Sequence, residues 1–171
     1  MKELQLIAVG DITVQFLKEL EAPIHQVLGV VAGPGKLHMA MPAFAFNKDR
    51  AQYHTTSIMR RLLTLKETGV PLVLGVADVD LFQPDSNFVY GEADREAHVG
   101  VMSIFRLKGE GEAWKRRAFV EAVHQAGHLV GLSFCEDARC AMYLATTITD
   151  ADRRQLHLCN NCRNELTKLR R

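Results

Sequence analysis

The sequence predicts an α/β domain layered around a mixed sheet. Three features lead there: short, strongly apolar runs closed by glycine or aspartate, amphipathic stretches between them, and two strand-like runs joined by a tight charged turn. At 171 residues the chain suits one domain and is long enough to bury a core.

The elements follow in order. LQLIAVG (4–10) is an apolar run ended by glycine and reads as a strand, and TVQFLKELE (13–21) has helical spacing. HQVLGVVAGPG (25–35) reads as a second strand closed by a Gly-Pro-Gly turn. Between Asp49 and Leu65, the residues Ile58, Met59, Leu62, Leu63 and Leu65 recur at mostly helical spacing, which predicts a long amphipathic helix with Arg60 and Arg61 facing water. VPLVLGVADVDL (70–81) reads as a fully buried strand whose end carries Asp78 and Asp80. FVYGEA (88–93) and HVGVMSIFRL (98–107) flank Asp94, Arg95 and Glu96, and so predict an antiparallel pair at one side of the sheet. After a polar loop, a helix from about Lys115 to Val130 ends where Gly131 can turn the chain. Asp78, Asp80 and Asp94 are read as strand ends and turn formers, and Trp114 with the scattered phenylalanines as packing.

Composition excludes several functions. Lys+Arg number 21 against Asp+Glu 20, so the chain carries no charge excess suited to a polyanion. The one basic cluster, Lys168, Arg170 and Arg171, reads as a solvated tail. The N-terminal apolar run meets Asp11 too early for a signal peptide or a membrane helix, so no membrane contact and a cytoplasmic location are expected. In a reducing compartment, four cysteines point to metal rather than to disulfides.

The chemistry concentrates in HQAGHLVGLSFC (124–135). His124 and His128 stand four apart, so a helix projects both from one face toward a shared ion. Cys135 and Cys140 form one closely spaced pair, and Cys159 and Cys162 (CNNC) form another. Two such pairs can close a tetrahedral zinc site of four thiolates.

These residues resemble the archaemetzincin family. Its pattern is HExxHxxGxxH followed by Cys, four residues, Cys, one residue, Met, a spacer, and CxxC. The chain reproduces it in His124, His128, Gly131, Cys135, Cys140, Met142, Cys159 and Cys162, with a last spacer one residue shorter than the family's. NKDRAQYHTTSIMRRLL and LGVADVDLFQPDSNFVYGEAD are similar to family segments as well. The resemblance implies a metzincin-type twisted mixed sheet with backing helices and an edge strand along a cleft floored by the motif helix. Residues 1–134 would form that domain. Residues 135–171 would hold a methionine turn at Met142 and a small four-cysteine zinc element, the whole being one compact unit. Taken alone, the resemblance also implies zinc-dependent peptidase activity.

Two positions depart from it. The general-base glutamate is replaced by Gln125, whose amide cannot accept the proton of a metal-bound water; losing such a base costs roughly 10²- to 10⁴-fold in rate. The third histidine is replaced by Phe134, which has no lone pair to donate. The expectation is therefore one structural zinc on the four cysteines, a catalytic zinc that is absent or weak, and a scaffold that binds a peptide or protein partner in its cleft with little or no hydrolysis. An alternative is an active metallopeptidase with a replacement ligand and base, for which His54, His98 and His157 are the available histidines. A third reading is a zinc-finger-like nucleic-acid binder, which the charge balance disfavours. Nothing in the sequence sets an oligomeric state.

Overall fold

The computed structural model describes residues 2–109 and 111–171. Its sheet is built from β1 (Glu3–Val9), β2 (Val31–Pro34), β5 (Leu72–Ala77), β7 (Gly91–Asp94) and β8 (Val99–Ser103). The spatial order is β2-β1-β5-β8-β7, with the first four strands parallel and β7 antiparallel on the edge. Single-residue alternation divides the strands between two cores. Leu4, Leu6, Ala8, Leu72, Leu74, Val76 and Met102 enter one, while Ile7, Val9, Val73, Ala77, Val99 and Val101 enter the other. Both faces are covered, which is why these strands read as continuous apolar runs. The predicted α/β mixed sheet is what forms.

Helices α1 (Val14–Leu28) and α3 (Ala113–Leu129) lie on the first face, and α2 (Thr55–Leu65) covers the second. Arg60 and Arg61 are exposed on α2, as its spacing predicts. Trp114 packs at the entry of α3, its ring 5.4 Å from that of Phe16. A second, three-stranded sheet joins β3 (Phe46–Asn47), β4 (Gln52–His54) and β6 (Leu81–Phe82) in the order β3-β4-β6. Beyond the motif helix come α4 (Ile148–Arg153) and α5 (Asn160–Leu169). Cys140, Met142, Ala151, Leu158, Cys162 and Leu166 are buried in the same core as α1 and α3.

Two boundaries differ from the sequence reading. His25–Leu28 are helical, because α1 runs through Pro23 and carries its buried stripe on from Leu17 and Leu20 to Ile24 and Leu28. The helix expected from Asp49 starts only at Thr55; before it, Tyr53 N–H bonds to Asp80 C=O and Gln52 Nε2 donates to Asn87 C=O at 2.7 Å, so tertiary pairing wins over helical propensity. The aspartates do act as strand ends and turns. Asp80 takes Arg106 on both oxygens, Asp78 pairs with Lys108, and Asp94 accepts the Ala97 N–H at the β7–β8 turn.

Candidate metal centres and cleft

Helix α3 fixes the histidine pair. Its i, i+4 spacing stacks His124 and His128 on one buried face. Gly131 follows with φ 114°, a left-handed turn that favours glycine, and Arg95 from the edge-strand turn caps the helix end, donating to the carbonyls of His128 and Leu132 at 3.1 and 2.8 Å. Met142 lies directly beneath: a Cβ at Gly127 would meet its sulfur at 2.5 Å. That places the methionine under the motif helix.

The hydrogen bonds assign the tautomers. His124 Nδ1 lies 2.9 Å from the Ala141 carbonyl and His128 Nδ1 lies 2.9 Å from that of Leu132. A carbonyl only accepts, so each Nδ1 carries its proton and each neutral ring turns a bare Nε2 lone pair inward. The two Nε2 atoms face one another at 3.1 Å. Burial lowers the pKa of both rings, that of His124 to about 4, so neither readily supplies a proton to bridge them. Two facing lone pairs call for a cation, and two imidazoles sharing a tetrahedral zinc at Zn–N distances of about 2.0–2.1 Å would sit about 3.3 Å apart. The pair fits a metal as two of its ligands.

The third ligand is another matter. Phe134 stands at that position, its ring centre 4.3 Å from that of His128 and 5.8 Å from that of His124, and the residue is 62% exposed. Among the described residues, no third His, Cys, Asp or Glu joins the pair. His54 bonds to Ser57, His157 bonds to Gln155, and His98 is at the β7–β8 turn with φ 61°.

Gln125 is 3% exposed, and its Nε2 donates to Glu121 Oε2 at 2.6 Å. Glu121 is the residue that sequence reasoning missed. It lies one turn earlier on the same helix, 2% exposed, and its other oxygen accepts Arg154 Nη2 at 2.9 Å. Burial alone would oppose its ionisation, but the guanidinium of Arg154 and the hydrogen bonds donated by Gln125 and Arg154 hold its carboxyl below the usual range. The i−4 spacing to Gln125 is visible in the sequence; Arg154, 33 residues away and fully buried, is not.

The four cysteines converge as their spacing predicts. All four sulfurs lie within 4.8 Å of one another, and Cys135 Sγ and Cys159 Sγ are 3.7 Å apart. A tetrahedral zinc with Zn–S of about 2.3 Å sets sulfur–sulfur edges of about 3.8 Å. Backbone N–H groups of Asp137, Met142 and Cys159 point at Cys135 and Cys140, the kind of donors a thiolate accepts. Burial raises the thiols of Cys135 and Cys162, whereas at Cys159 donated hydrogen bonds outweigh it and lower the pKa. None of the four is in a disulfide.

A cavity of about 650 Å³ opens over the histidine face. Gly91 and Ala93 of the edge strand border it, His124, Gln125 and His128 line its floor, and Phe134 and Leu144 stand at its side. A helix presenting paired imidazoles to a cleft bounded by an antiparallel edge strand defines a class, the metzincin-type metallopeptidase scaffold.

Comparison with known proteins narrows the class. The sequence profile of Peptidase family M54 matches residues 2–168. The chain is 33% identical over 165 residues to an archaemetzincin of Methanocaldococcus jannaschii, covering 92% of this chain and 89% of that one. The crystal structure of the archaemetzincin of Methanopyrus kandleri superposes with a TM-score of 0.83 at 28% identity, covering 98% of this chain and 94% of that one. A zinc-dependent peptidase of Methanocorpusculum labreanum shares the fold, with a TM-score of 0.84 at 24% identity over 95% of this chain and 99% of its own. The chain belongs to peptidase family M54, the archaemetzincins, a family of zinc metallopeptidases.

Proposed function

We propose that this archaemetzincin binds an extended peptide segment in its cleft and hydrolyses it poorly or not at all. The observation that carries the reading is Phe134, an aromatic ring packed on His128 at the third-ligand position with no substitute His, Cys, Asp or Glu among the described residues. With two imidazoles and no third protein ligand, a metal there is held weakly. Gln125 adds a second deficit, because an amide cannot take the proton that a zinc-bound water gives up when the family's chemistry runs. The four cysteines, by contrast, form a complete donor set for one structural zinc.

The edge strand β7 supports peptide binding. Its outer side faces no further strand in the five-stranded sheet, and Gly91 and Ala93 border the cavity, so an added chain could pair with free main-chain groups beside the histidine face. The near-equal charge argues against nucleic acid as the ligand. Among the described residues, no helix is long and apolar enough to cross a membrane. Four cysteines outside any disulfide suit a reducing compartment, which supports a cytoplasmic location.

A second reading has its own observation. The facing Nε2 lone pairs of His124 and His128 are preserved as a metal-binding arrangement, which favours a weakly active hydrolase over a wholly silent one. One experiment separates them. Elemental analysis of purified protein should give one zinc per chain, and a fluorogenic peptide library should show no chelator-sensitive cleavage with zinc in excess. Cleavage that disappears in His124→Ala would establish the hydrolase instead.

A further inference from the structure

Among the described cleft-lining residues, Gln125 alone is buried with a side-chain atom lacking a hydrogen-bond partner, its Oε1. The orientation of its amide is chemically forced. Nε2 faces Glu121 Oε2 at 2.6 Å, and turning the amide over would set its oxygen against a carboxylate oxygen, two acceptors in a buried place. Gly91 closes the other side, since a Cβ there would come within 2.6 Å of Nε2. Glu121 cannot swing away: Arg154 holds Oε1 at 2.9 Å, and that guanidinium is anchored through Nη1 on the Tyr143 carbonyl at 3.1 Å. The direction of one amide is therefore set by a chain of buried groups reaching from the motif helix to the segment after Met142.

We propose that Glu121 is a positioning residue of the motif helix: it accepts the Gln125 N–H, fixes the direction of that buried amide with Oε1 turned away from the carboxylate, and makes an amide the residue that fits at position 125. With glutamate at 125, two carboxylates would meet where the amide and carboxylate now bond. Gln125→Glu by itself then restores no properly placed base. The pairing is independent of what the cleft binds, so its test does not depend on the peptide-binding reading.

The test is a double-mutant cycle on the full chain: the natural protein, Glu121→Gln, Gln125→Glu, and the two together. In the double variant, the amide introduced at 121 can accept from Arg154 and donate to the carboxylate introduced at 125, so the bond reappears with its roles reversed. Gln125→Glu is expected to lower the unfolding midpoint by about 5 °C or more, and the second change to recover most of that loss. A spectroscopic signature accompanies it. In ¹H–¹⁵N spectra of the natural protein, the Gln125 side-chain amide, identified by its absence in Gln125→Glu, should show one proton shifted downfield and protected from exchange, and Glu121→Gln should abolish the shift. Additive midpoints, an undiminished midpoint in Gln125→Glu, or an ordinary Gln125 amide signal would each overturn the proposal.

Discussion

At the scale of single residues, the difference between a metal ligand and a filler decides the chemistry of the cleft. His124 and His128 set their Nδ1 atoms on backbone carbonyls and turn their Nε2 atoms toward each other, an arrangement suited to metal ligands. Phe134 reaches the same region with a ring that gives no electron pair. Phe134→His should therefore raise the zinc content from one toward two per chain, and His124→Ala in that background should return it to one, both read by elemental analysis. It should add metal without appreciable hydrolysis, since coordination needs an imidazole whereas proton transfer needs a base that Gln125 does not supply. A second zinc at full occupancy before any substitution would show that two histidines suffice. The two departures are legible in the sequence because the family pattern assigns them fixed offsets. Glu121 is less so, because its role comes from Arg154, 33 residues away.

At the scale of elements, α3 serves as floor, ligand carrier and packing face together. Gly127 admits Met142 beneath the helix, and the loop from Cys135 is pinned by the Cys135 N–H on the Met142 carbonyl and the Ala141 N–H on the His157 carbonyl. The cysteine cluster thus sits at the end of the motif helix and joins it to α5, which starts at Asn160, right after Cys159. Cys159→Ser should remove most of the bound zinc and speed amide exchange in residues 135–169, because the metal's binding free energy is also folding free energy for the segment it closes. Exchange and zinc content unchanged from the natural protein would mean the thiols are structural without metal. The same packing limits what spacing can reveal. The apolar run from His25 reads as a strand, yet α1 continues to Leu28 because Ile24 and Leu28 complete its buried stripe.

For the whole molecule, the question is whether residues 135–171 stand apart from the sheet domain. Their apolar side chains enter the core that holds α1 and α3, so metal loss should be felt across the fold. Stripping zinc with a chelator should lower the midpoint of a single cooperative transition, and above the dissociation constant each tenfold rise in free zinc should return about 1.4 kcal/mol of stability. Two separate transitions in calorimetry would instead mark a C-terminal unit that melts alone. The sequence by itself determined the α/β class, the helical pairing of His124 with His128, the cysteine pairs and the two departures from the family pattern at Gln125 and Phe134, because each is carried by local period or spacing. Only the tertiary structure decided that Phe134 packs on the histidines with no substitute ligand among the described residues, that Gln125 is bound to Glu121, and that Arg154 is buried to hold Glu121 in place. The Arg154–Glu121 contact joins segments 33 residues apart, made where burial leaves a charge no water to bond with, and no periodicity within one segment encodes it; the contacts of Gln125 and Phe134 are near in sequence, but spacing alone does not say which partner a buried side chain takes.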